Sequence, residues 1–72
     1  MTPDPRHDVI VYHVAMMDAL SGVSIGDRWT VWAGTESEGS FESEAEAVAV
    51  AVELADGRPA WLVKEDGATI AL

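Results

Sequence analysis

The sequence predicts an α+β domain, ordered β-β-α-β-β, with a four-stranded, mainly antiparallel sheet and one helix on one face. Three features carry that reading. Ser43 to Gly57 (SEAEAVAVAVELADG) has helix start and stop signals, Asp8 to Val14 and Asp27 to Ala33 are rich in β-branched and aromatic residues, and Asp66-Gly67 is a hairpin dipeptide.

The helix is justified first at its ends. Ser43 and Glu46 form an S-x-x-E capping box, and Glu44 and Glu46 sit where the helix dipole favours negative charge. Gly57 suits the left-handed position past the last turn, and Pro59 prevents continuation. The Ala/Val alternation of Ala47 to Leu54 also suits a strand, but the caps, the Ala content and a polar side of Glu42, Glu46 and Glu53 favour the helix. On a helical wheel Ala47, Ala51 and Ala55 form a narrow stripe, with Val50 and Leu54 on one side and Val48 and Val52 on the other. Small residues between larger ones let a helix lie close to a sheet.

Residues 1–7 carry two prolines and no periodicity, which predicts an extended arm on a single domain spanning 1–72. Asp8 to Val14 (DVIVYHV) is the first strand, with Val9, Val11 and His13 on one face and Ile10, Tyr12 and Val14 on the other. Apolar residues on both faces imply that both are covered or that one meets a partner. Ala15 to Gly26 reads either as a loose helical turn and loop or as a long hairpin; its Met16, Met17, Leu20, Val23 and Ile25 either cap one end of the core, which is the expectation, or form a contact surface. Asp27 to Ala33 is the second strand, Gly34 to Ser40 a polar turn, and Phe41 an apolar plug before the helix. Ala60 to Lys64 and Ala68 to Leu72 complete the sheet as third and fourth strands. One helix covers one face, so Trp32, with a share of Tyr12, Leu62 or Trp61, is left pointing away from it.

Composition bounds the function. Thirteen acidic residues against four basic ones give a net charge of −9, and Lys64 is the single lysine. Such a field repels nucleic acid and anionic membranes and attracts basic protein surfaces. Solubility or adaptation to high salt is the plain alternative. There is no cysteine, no apolar run long enough for a membrane span, and no signal-peptide layout at the N-terminus, so a cytoplasmic protein is expected. At 72 residues the core barely offsets chain entropy, which makes docking or self-association a reasonable expectation.

The residues W-x-V at Trp29 to Val31, F-x-S-x-x-E-A at Phe41 to Ala47, W-L-V at Trp61 to Val63 and the D-G of Asp66 and Gly67 resemble a family of small bacterial domains of unknown function. The likeness covers Asp27 to Leu72, rests on core, cap and turn residues, and implies a fold without an activity. In composition the chain is also similar to small acidic phage inhibitors of host defence, such as anti-CRISPR proteins and DNA mimics, a class with no defining motif.

No pattern calls for catalysis or a cofactor. His7 and His13 lack metal-ligand spacing, the serines lie at turns and caps without a nucleophile elbow, and Gly34 and Gly39 flank acidic residues, which is the wrong field for phosphate. No metal site, cofactor site or enzymatic activity is therefore expected. Glu36, Glu38, Glu42, Glu44 and Glu46 are the constellation that remains, five carboxylates able to face a basic groove, with Trp32 as an apolar anchor. A solvated loop followed by dipole-favoured glutamates explains the same run. The expectation is a non-enzymatic module that binds a basic protein partner, in its sharper form an inhibitor of a host nucleic-acid-binding complex. The alternative is a self-associating bacterial or archaeal housekeeping domain, dimeric through the open sheet face.

Overall fold

The strand with apolar residues on both faces takes the centre of the sheet. The structure, a computed structural model, describes residues 2–72; Met1, the first residue of the expected arm, lies outside them. Val9–Met17 (β1) pairs antiparallel with Ser24–Ala33 (β2) on one side and parallel with Ala60–Val63 (β4) on the other. Glu36–Phe41 (β3) and Thr69–Ala71 (β5) form the edges, in the order β3-β2-β1-β4-β5. The single helix, Glu44–Ala55 (α1), connects β3 to β4 and lies on one face.

Among the described residues the α+β class, one helix and the four expected strands are present, and the strand count of the expected sheet is corrected. The sheet has five strands, because Gly34 to Ser40 is a tight turn followed by β3 rather than a polar turn throughout. A strand of alternating Ser and Glu is tolerated at an edge, where only one side needs a partner. Phe41 is accordingly the last residue of β3, paired with Trp29 and packed on the core. The sheet is mainly antiparallel, as expected, with one parallel pairing where β4 enters beside β1.

The core lies between α1 and one sheet face. Val9, Val11, Val31, Ala60 and Leu62 meet Ala47, Ala51 and Ala55, and Trp29, Ala33, Phe41, Val50 and Leu54 pack around them. The small-residue stripe is thus the buried side of the helix, while Val52 faces outward. Ser43 caps the N-terminus by accepting from the Glu46 N–H at 3.4 Å. At the other end both Asp56 (φ 43°) and Gly57 (φ 92°) are left-handed. Arg58 then donates to the carbonyls of Leu54 and Ala55, satisfying the last turn.

Two further segments depart from expectation. Residues 4–8 form a turn rather than an extended arm: the His7 and Asp8 N–H groups donate to the Asp4 carbonyl. Met16 to Ile25 does not cap the core. It is the outer part of a long β1–β2 hairpin, with a bulge at Met16/Met17 and an Asp18-stabilised loop, and Leu20 is 99% exposed. The molecule measures 42 Å in its longest dimension against 22 and 20 Å.

Candidate interaction surface

The face opposite the helix is built by strand parity. Ile10, Tyr12, Val14, Thr30, Trp32, Trp61 and Val63 share it by register, and Leu62 lies on the helix side. Its two ends differ. Near the N-terminal turn, Ile10 is 2% and Trp61 8% exposed. Asp8 organises that end, its carboxylate accepting from Trp61 Nε1 and the Asp4 N–H, each at 2.9 Å, and pairing with His7 Nδ1 at 2.9 Å. The Asp4 N–H is the main cause that holds the Asp8 carboxyl below the ordinary aspartate value of 3.8; the His7 and Trp61 bonds lower it further, against the opposing effect of burial.

Gly34 fits this arrangement closely. Its φ of 61° favours glycine, its N–H donates to the Asp8 carbonyl, and a Cβ there would lie 3.0 Å from the Arg6 carbonyl oxygen.

Toward the hairpin the face opens. Tyr12, Val14, Met17, Thr30, Trp32 and Val63 line a depression of about 500 Å³ together with His13, Lys64 and Glu65. Trp32 is 37% exposed and also lines a second cleft, of about 480 Å³, with Pro5, Ile10 and Gly34. Beyond it the hairpin leaves Met17, Val23 and Ile25 exposed. Exposed apolar side chains of this kind are candidates for an interaction surface.

The acidic residues expected to bind a partner are all exposed. Glu36 and Glu38 lie on edge strand β3, flanking Ser37, the pairing partner of Trp32. Glu36 sits opposite Ala33 on the helix side, so it rims the sheet edge rather than the floor of the depression. Glu42 lies between β3 and α1, its Oε1 3.7 Å from Arg28 Nη2, and Glu44 and Glu46 occupy the first helical turn. Trp32 is therefore adjacent to the first two glutamates, and the other three are grouped at the helix start.

Sequence reasoning missed a second grouping. His13, on the helix-side parity beyond the end of the helix, stacks on Trp29 with centroids 4.8 Å apart and planes 6° apart, and bonds Asp27 through Nε2 at 2.9 Å. Glu65, just past β4, brings a carboxylate to the same place; one ligand atom from each of His13, Asp27 and Glu65 lies within 4.8 Å of the others. The His13 and Asp27 side chains are diagonal neighbours across a hairpin, which strand parity can reveal, but Glu65 arrives through the parallel pairing of β4, for which the sequence has no local signal.

No protein-family model matches the chain, and no curated protein or solved structure shows significant similarity to it. Among the described residues no helix is long and apolar enough to cross a membrane.

Proposed function

We propose that this chain is a non-enzymatic protein-binding module that docks a partner carrying an apolar anchor within a basic surface. The observation that supports it is the adjacency of an open apolar depression around Trp32 to a glutamate-bearing edge strand, in a chain of net charge −9. Burial of an indole supplies affinity, and the carboxylates of Glu36, Glu38, Glu42, Glu44 and Glu46 supply steering and select against acidic partners. In the sharper form the partner is a nucleic-acid-handling complex in the cytoplasm, whose basic channel the glutamates occupy in place of phosphates. No cofactor, membrane or direct nucleic-acid contact enters this reading.

The test is quantitative capture of a partner by wild-type protein, by Trp32→Ala and by a Glu36→Lys/Glu38→Lys double variant. Loss with both variants is the expected outcome; retention by both would sink the proposal.

The exposed apolar hairpin favours a second reading, a homodimer through the open face. The two respond to salt with opposite sign. Screening weakens attraction to a basic partner, whereas it strengthens association of two chains that each carry −9.

A further inference from the structure

We infer that His13, Asp27 and Glu65 form a binding site for a first-row divalent cation of the Zn2+ class. His13 and Glu65 also line the depression around Trp32, so the two sites adjoin, but the cation site does not rest on the docking proposal. It draws one imidazole nitrogen and two carboxylate oxygens from three parts of the chain, β1, β2 and the turn after β4, and these atoms lie within 4.8 Å of one another. A tetrahedral ion with bonds of about 2.0–2.2 Å needs its ligand atoms about 3.3–3.5 Å apart. His13 Nε2 and Asp27 Oδ1, at 2.9 Å, are already close, and the exposed Glu65 side chain closes the rest by rotation.

The imidazole is pre-positioned. Stacking on Trp29 fixes the plane of the ring, and an ion would displace to solvent the proton that lies between Nε2 and the Asp27 carboxylate and take both groups as ligands. The donor set selects the ion. One imidazole with two carboxylates suits Zn2+ and its neighbours better than the all-oxygen shells of Mg2+ or Ca2+. The surroundings favour a cation too. His13, Glu44, Lys64, Glu65 and Asp66 line an open cleft of about 460 Å³, so with Asp27 four carboxylates stand against one lysine.

The other histidine provides an internal contrast. His7 also pairs with a carboxylate, Asp8 at 2.9 Å, but among the described residues no third ligand gathers there. At the His13 cluster an ion would tie the base of the β1–β2 hairpin to the β4–β5 turn. Its remaining coordination positions would be open to water, since Asp27 and Glu65 are exposed.

The test is calorimetric titration of untagged, chelator-treated protein with Zn2+, alongside Asp27→Asn, Glu65→Gln and His7→Gln. Both altered carboxylates are exposed, so these variants should fold. The expected result is one saturable ion per chain and a raised thermal midpoint. Binding should weaken on the order of tenfold or more in Asp27→Asn and in Glu65→Gln, and be unchanged in His7→Gln. Absence of saturable binding, wild-type affinity retained in either carboxylate variant, or loss of binding in His7→Gln would each overturn the assignment.

Discussion

Trp29 and Trp61 sit on opposite faces of one sheet and differ in their hydrogen bonding. Trp61 Nε1 donates to Asp8 at 2.9 Å, whereas Trp29 Nε1 is buried without a partner among the described residues. Replacing either by Phe removes a similar volume, so the difference between the two substitutions reports the polar contact. Urea denaturation should find Trp61→Phe more costly than Trp29→Phe by about 1–3 kcal/mol, as expected for a bond to a charged acceptor; equal costs would mean the Asp8 contact contributes nothing. Asp8 also sets an acid limb. Its carboxyl is lowered in the folded chain, so its contribution is fully present above the unfolded value and is lost as pH falls through the folded one. Stability should therefore decline below about pH 4 in wild type and decline less in Asp8→Asn, measured by denaturation across the acid range. Trp32 is the most exposed of the three tryptophans, at 37%; Trp32→Ala should change stability less than Trp29→Ala or Trp61→Ala while removing partner binding.

Among the elements, the helix was the most legible in sequence because its signals are local. Ser43, the Ala47-Ala51-Ala55 stripe and the stop before Pro59 all act within a few residues of where they stand. The cap bond is long at 3.4 Å, so Ser43→Ala should cost about 0.5–1 kcal/mol. Ala51→Leu should cost more, about 1–3 kcal/mol, by forcing the helix off the sheet; thermal melts of the two variants give the ranking. The central strand was equally readable, since Val9, Ile10 and Val11 are apolar in succession. Strand β3 was not, because Glu36 to Ser40 has turn-like composition and becomes a strand only through its pairing with β2. The parallel entry of β4 and the arrival of Glu65 beside His13 are likewise non-local. The hairpin misled for a different reason. Met16, Leu20 and Ile25 are apolar, and apolarity alone does not distinguish core from an exposed contact surface. Of the candidate surface, Trp32 and the five glutamates were visible as residue types, but their relation was not: Trp32 meets the run only because it pairs with Ser37.

On the scale of the whole molecule, the helix closes one face, the N-terminal turn covers part of the other, and the remainder is an apolar depression with carboxylates along one adjacent edge. A net charge of −9 on 72 residues repels itself, so thermal stability should rise with added salt while partner binding falls. That opposition separates a charge-selected interface from acidity kept for solubility alone. The decisive measurement is capture from nuclease-treated bacterial lysate at low and at high salt, using wild type, Trp32→Ala and Glu36→Lys/Glu38→Lys. A binding module for a basic partner predicts one defined complex, recovered by wild type at low salt, released at high salt and absent from both variants. Recovery of the chain alone at either salt, or a partner held equally by the variants, would contradict it.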